Sequence, residues 1–310
     1  MKVLVTGANG FVGTALTTRL IGERRYVVVG TVRSAAAELR APVTRMEVAS
    51  LGPETDWRSA IGGVDTVVHL AARVHRRSST ISSPLAEYRR ENVAGTCTLA
   101  RQAASARVKR FVFVSSVKVN GERGLYTEAD PPAPEDAYGI SKHEAEVALR
   151  VIAKDTGMEV VIIRPPLVYG PGVRANFLAL MRAVSRGIPL PLGAIDNRRS
   201  LVALSNLVDF IVACIVDPAA ANETFLVSDG EDLSTADLIR RLAGAMGRPA
   251  RLFPVPESVL NLGAALVGRR DIAQRLLGTL QVDISKARRL LGWEPPITVG
   301  EGLRLAVTAL

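Results

Sequence analysis

Along the first half of the chain, short and almost continuously apolar runs alternate with longer stretches whose apolar positions recur every three to four residues. The runs fall at residues 3–6, 26–32, 64–70, 109–115 and 159–164, and each is dominated by valine, isoleucine, leucine or phenylalanine. A run without strict polar alternation is the pattern of a strand buried on both faces, as in a parallel sheet. Residues 11–22, 84–106 and 138–156 carry helical spacing. Strand and helix in regular alternation predict an α/β fold built on a doubly wound parallel sheet, a Rossmann arrangement.

The pattern changes at Pro165-Pro166. Glycine and proline cluster at 165–172 and 187–193, helical segments are expected near 234–247 and 257–268, and a Gly-Trp-Glu-Pro-Pro turn at 292–296 precedes a last helix. We read residues 1–165 as one domain and 166–310 as mainly a smaller lobe over the carboxyl ends of the strands. Residues 200–227 are expected to return to the main sheet.

With 310 residues, 48% of them hydrophobic and 22% charged, the chain has enough apolar material for a buried core and a second lobe. No stretch is apolar for the roughly 18 residues that a membrane span needs. The start, Met1-Lys2-Val3-Leu4-Val5-Thr6-Gly7, runs at once into a glycine turn and reads as a first strand, not a signal peptide. Cys97 and Cys214 lie far apart in apolar segments and are expected as buried free thiols, which fits the cytoplasm. The net charge of +9 raises the question of nucleic acid, but no zinc spacing, RNA-binding signature or run of five basic residues occurs. Neither a metal nor a nucleic-acid partner is expected, and the basic balance suits a phosphorylated small molecule.

Gly7-Ala8-Asn9-Gly10-Phe11-Val12-Gly13 stands between the first strand and the first helix. In that context the first glycine permits a tight turn, the second lets backbone approach a pyrophosphate, and the third allows close helix–strand packing. Gly7, Asn9, Gly10, Phe11, Val12 and Gly13 are therefore candidate dinucleotide-binding residues. Farther on, Tyr138 and Lys142 are one helical turn apart and share a face. An ammonium beside a phenol would favour the phenolate, as proton transfer near neutral pH requires.

These segments, with others in the same order, resemble the extended short-chain dehydrogenase/reductases of the NAD-dependent epimerase/dehydratase family over nearly the whole chain. Val67-Val68-His69-Leu70-Ala71-Ala72, Glu91-Asn92-Val93-Ala94-Gly95-Thr96, Val114-Ser115-Ser116, Tyr138-Gly139-Ile140-Ser141-Lys142 and Arg164-Pro165-Pro166-Leu167-Val168-Tyr169-Gly170-Pro171-Gly172 carry the likeness, which continues through Asp283-Ile284-Ser285-Lys286 and Leu291-Gly292-Trp293. The resemblance implies a catalytic set of Ser116, Tyr138 and Lys142. It places Leu70, Ala71, Ala72, Asn92, Ser115 and Pro165 around the cofactor, with Lys142 on the nicotinamide ribose. Ser115 is expected to order the strand end. The substrate would be a UDP-linked sugar, contacted by Ser116, Arg199 and, as weaker candidates, Asn176 and Arg275; Leu190-Pro191-Leu192-Gly193 would lie beside the uracil ring. Lys118 and His75 are further possibilities on the sugar side.

Two features bear on the reaction. The second strand ends in Thr31-Val32-Arg33-Ser34, without the acid that would hold a ribose 2′-hydroxyl, and Arg33 could accept a 2′-phosphate. NADP(H) is therefore expected ahead of NAD(H). Val117-Lys118 replaces the acidic pair of sugar 4,6-dehydratases and the cysteine of deoxysugar epimerase-reductases, and Leu167 replaces an asparagine common in 4-epimerases. The resulting expectation is an NADP-dependent reductase of a UDP-linked 4-keto sugar, with a UDP-hexose 4-epimerase holding NAD as the alternative. A redox-sensing NADP-binding regulator is the non-enzyme alternative. The helices at 84–106 and 138–156 are expected to form a homodimer interface.

Overall fold

The computed structural model describes residues 1–34, 36–48, 50–74, 84–266, 268 and 270–310. Its strands, in chain order, are β1 Lys2–Thr6, β2 Val27–Val32, β3 Thr44–Glu47, β4 Thr66–His69, β5 Arg110–Val114, β6 Gly124–Tyr126, β7 Glu159–Arg164, β8 Leu167–Tyr169, β9 Arg199–Ala203, β10 Thr224–Leu226, β11 Asp232–Leu233 and β12 Leu280–Val282. Seven of them form one parallel sheet in the order β10-β7-β5-β4-β1-β2-β3. The order reverses between β1 and β4, which opens a crevice at the carboxyl ends of those two strands.

Neighbouring residues on these strands feed opposite cores. Val3, Val5, Val68, Val112 and Ile163 pack on one face with Leu16, Leu20, Leu207 and Phe210, from the helices Phe11–Ile21 and Leu204–Val216. Leu4, Val67, Phe111, Phe113 and Ile162 pack on the other with Leu99, Ala103, Ala145 and Leu149, from the helices Thr96–Ser105 and Ala137–Thr156. Burial on both faces is the physical reason these runs are continuously apolar. Cys97 and Cys214 are buried free thiols.

The helix Ala137–Thr156 starts where the Asp136 carboxylate accepts the Gly139 N–H at 2.7 Å, and stops at Gly157 in a left-handed conformation (φ +74°). The segment 84–106 is not one regular α-helix. A short helix Pro84–Tyr88 passes into a π-helical turn, Arg89–Gly95, and then into Thr96–Ser105.

Residues 200–227 return to the main sheet only in part. β10 adds the outer strand beside β7, whereas β9 joins a second sheet, β11-β9-β12-β6, and also pairs with β8. A third core, around Tyr169, Phe177, Met181, Leu233, Ile239, Leu242 and Leu303, lies beneath these later elements.

Candidate active site

The glycine turn follows β1 directly. Gly7 has φ +66°, and a Cβ there would stand 3.2 Å from the backbone of Ala71. The Gly7 carbonyl accepts the Gly10 N–H at 2.9 Å, and a Cβ on Gly13 would fall onto that same carbonyl oxygen. Only glycine can occupy the first and third positions without moving backbone. Gly10, the N-cap of the helix Phe11–Ile21, offers no side-chain cap. The first N–H groups of that helix therefore point toward the crevice as ready anion donors.

A buried relay fixes the opposite wall. The Thr6 hydroxyl oxygen accepts the N–H groups of Leu70 and Ala71, both at 3.1 Å, so its own proton goes to His69 Nδ1 at 2.7 Å. His69 Nε2 then donates to the Thr96 hydroxyl at 3.0 Å. Burial pushes the His69 pKa down to about 3, which keeps the ring neutral and this tautomer in place.

These elements enclose a cavity of about 620 Å³ lined by Gly7, Asn9, Gly10, Phe11, Val12, Gly13, Arg33, Leu70, Ala71, Ala72, Ser115, Ser116, Tyr138, Lys142 and Pro165. Residues spread over half of the chain are thus brought to one cleft. A cavity of about 730 Å³ on the far side of the turn shares Asn9, Gly10 and Phe11 but holds none of Ser116, Tyr138 and Lys142. We therefore place the chemistry in the smaller one. Glycines that leave room for a pyrophosphate and an uncapped helix start at Gly10, both lining this cavity, fit a dinucleotide.

Tyr138 is half-buried in the first turn of its helix. Its pKa is raised, chiefly by burial, with Asp136 and Tyr88 adding to the rise. The Tyr88 ring meets the Tyr138 ring edge-on at 6.2 Å. The sequence led us to expect that Lys142 would lower this pKa, and here it gives no such decrease. Its ammonium donates to the Val114 carbonyl at 2.7 Å and lies 3.9 Å from the centre of the Phe113 ring. Burial lowers the Lys142 pKa to about 7, opposed by Glu146 one turn along.

Glu146 anchors the strand ends to this helix. It accepts the Ser115 hydroxyl at 2.6 Å and a two-pronged pair from Arg164, at 3.0 and 2.6 Å, all buried. Arg164 also donates to Asn120 Oδ1 at 3.0 Å. Ser115 thus takes the ordering position expected of it, while Ser116 faces the cleft and accepts the Lys118 N–H at 3.2 Å. The Lys118 ammonium is held by Glu122 and Asp136, each at 2.6 Å, so it braces the start of the Tyr138 helix instead of facing a sugar.

Asn92 does not line the cleft. Its amide accepts the Arg73 N–H at 2.7 Å and donates to the Arg73 carbonyl and to Ser141 Oγ, tying the π-turn to the catalytic helix. Of the described candidate substrate residues, Ser116 lines the cleft, whereas Asn176 and Arg199 do not. Asn176 is exposed at the start of the helix Ala175–Ser185. The Arg199 guanidinium donates to the Gly278 carbonyl at 2.9 Å. The Arg275 side chain and His75 lie outside the described residues. Leu190 bridges to Leu252. Thr31, Ser50, Leu51, Trp57, Arg90 and Leu207 also line the cleft and were not foreseen. Thr31 stood in the sequence at the acid's usual place, whereas the others come from loops and helices whose approach nothing local announces.

Residues 3–228 match the model of the NAD dependent epimerase/dehydratase family. The chain is 50% identical to a UDP-glucose 4-epimerase of Vibrio cholerae, covering 99% of this chain and 95% of that one. It is 28% identical to an N-acetyl-α-D-glucosaminyl-diphospho-ditrans,octacis-undecaprenol 4-epimerase of Escherichia coli O157:H7, covering 97% and 93%. Among solved structures it resembles MoeE5 in complex with UDP-glucuronic acid and NAD, with a TM-score of 0.78, 26% identity and coverage of 100% and 98%.

Proposed function

The chain belongs to the NAD dependent epimerase/dehydratase family, and from that premise we propose that it is a 4-epimerase of UDP-linked hexoses that works on a dinucleotide it retains. The observation that carries this reading is the 50% identity, end to end, with a UDP-glucose 4-epimerase, in a chain whose Ser116, Tyr138 and Lys142 line one cleft. It reverses the order favoured by the sequence, in which the 4-keto reductase came first.

Gly7, Gly10 and Gly13 would hold the pyrophosphate, and Lys142 the nicotinamide ribose. A nicotinamide held there would supply reversible hydride transfer at the sugar C4. Tyr138, as phenolate, accepts the proton of the C4 hydroxyl and returns it to the ketone oxygen after the ring has turned. Ser116 holds that oxygen beside Tyr138 through its hydroxyl. Burial, with Asp136 and Tyr88 adding to it, raises the Tyr138 pKa, so its phenolate needs positive charge in the cleft. An oxidised nicotinamide and a Lys142 released from Val114 are the two sources of that charge. Asn176, Arg199 and Arg275 would reach the diphosphate from the later elements. A homodimer would pair the helices at 84–106 and Ala137–Thr156, where Val147 and Val151 stand exposed one turn apart.

Purified protein given UDP-glucose and no added cofactor should form UDP-galactose. Conversion only with added NADPH, and only from a 4-keto sugar, would overturn this. One observation favours that second reading: Arg33 lies at the cleft, unpaired among the described residues, with Thr31 where an acid would select NAD. If NADPH is the true partner, Arg33→Ala weakens it far more than NADH.

A further inference from the structure

We propose that this protein docks peripherally on anionic membrane surfaces through the outer edge of its later elements, centred on the helix Glu257–Leu266. The helix packs inward through Leu260 and Ala264, which touch the third core. Its other side is apolar and uncovered. Val259, Leu262 and Leu266, at positions i, i+3 and i+7, are 54, 63 and 80% exposed. That spacing places them along one stripe. A stripe of valine and leucine more than half exposed to water is costly for a monomer and marks a surface meant to be covered.

The stripe does not stand alone. Phe253, four residues before the helix, is 46% exposed, and Ile188 is 44% exposed. Phe253 and Ile188 belong to two segments that run side by side. Leu190 N–H donates to the Arg251 carbonyl at 2.8 Å, and Phe253 N–H donates to the Leu190 carbonyl at 3.1 Å. Exposed arginines lie along the same pair of segments. Arg248 donates to the Ser185 carbonyl, and the Arg251 guanidinium lies against Gly187. The acid on the helix, Glu257, is at its first residue, bonded to Asn261.

Charge decides what covers this edge. A second copy using the same patch would bring arginines against arginines, which opposes association. An anionic lipid surface supplies the opposite sign to the arginines and an apolar layer to the leucines, and the whole chain carries +9. No span is required, and among the described residues no helix is long and apolar enough to cross a membrane.

The inference does not depend on which sugar reaction the cleft performs. It is tested by floating the full-length protein with vesicles of phosphatidylcholine alone or mixed equally with phosphatidylglycerol. Flotation with the anionic vesicles at low salt, weakened by high salt, is expected. Replacing Leu262 and Leu266 together by serine should lower the partition by about a hundredfold, and Arg248→Ala with Arg251→Ala by about tenfold or more. Both variants should melt as the parent does and keep its turnover on a soluble UDP-sugar. Absence from the anionic vesicles, equal flotation of parent and leucine variant, or a leucine variant that turns a dimer into a monomer would each overturn the proposal. The last result would assign the patch to a contact between copies.

Discussion

The side of this molecule proposed to hold the cofactor and the side proposed to hold the nucleotide sugar are built on different terms. The Thr6–His69–Thr96 relay and the Glu146–Arg164 pair are buried and hydrogen-bonded, and the glycine turn is closed by its own backbone bond, all of them complete in the free chain. Asn176 is exposed and Arg199 is engaged by a backbone carbonyl, so the groups expected on the diphosphate stand apart from the cleft. The first side is pre-organised, and its geometry exists before any ligand arrives. The second must gain its contacts when substrate binds, with the ordering cost that this entails. Substitutions on the first side should therefore act on turnover and folding, and those on the second on substrate affinity.

The largest effect is expected at Tyr138. Tyr138→Phe should cut turnover by about 10²–10⁴ while dinucleotide binding, read by fluorescence titration, persists. Near-normal turnover would remove Tyr138 as the proton carrier.

Glu146→Ala comes next. It leaves Arg164 buried without its carboxylate, and loss of one partner from such a pair costs about 3–5 kcal/mol, measurable by urea unfolding. A change below about 1 kcal/mol would show that the pair is not the anchor described here.

Arg199→Ala sharpens the contrast between the sides. It should raise KM for the UDP-sugar by about tenfold or more, the loss of one charge-assisted bond, and leave kcat nearly unchanged. An equal fall in kcat would place Arg199 among the pre-organised groups.

A further expected effect is a slope in stability with pH. Lys142 has its pKa lowered to about 7 in the folded chain against an ordinary 10.5. Between those values the unfolded chain binds the extra proton, so stability of the cofactor-free protein should rise as pH increases from about 7 toward 10. Lys142→Met should flatten that rise. An unchanged slope in the variant would show that another group carries it.

The sequence revealed the first side far better than the second, for a physical reason. A strand buried on both faces is apolar at most positions, so β1, β2, β4, β5 and β7 were legible as mainly apolar runs. Gly7 and Gly13 are dictated by backbone geometry, and Tyr138 and Lys142 by helical repeat, all of which are local. β3 was missed because Thr44–Glu47 is a short, polar edge strand. The short strands of the second sheet carry too few residues for a pattern, and β9 left the main sheet for pairings that only the assembled chain defines. The bracing of the helix that carries Tyr138 by Lys118 was hidden because its partners, Glu122 and Asp136, are brought together by a loop.

The central claim is that hydride leaves and returns to the same sugar carbon on a retained dinucleotide. The direct measurement uses UDP-glucose deuterated at C4, with no cofactor added, and follows the label in the product. The account predicts UDP-galactose with deuterium still at C4. UDP-galactose without deuterium at C4, or no UDP-galactose at all, would contradict it.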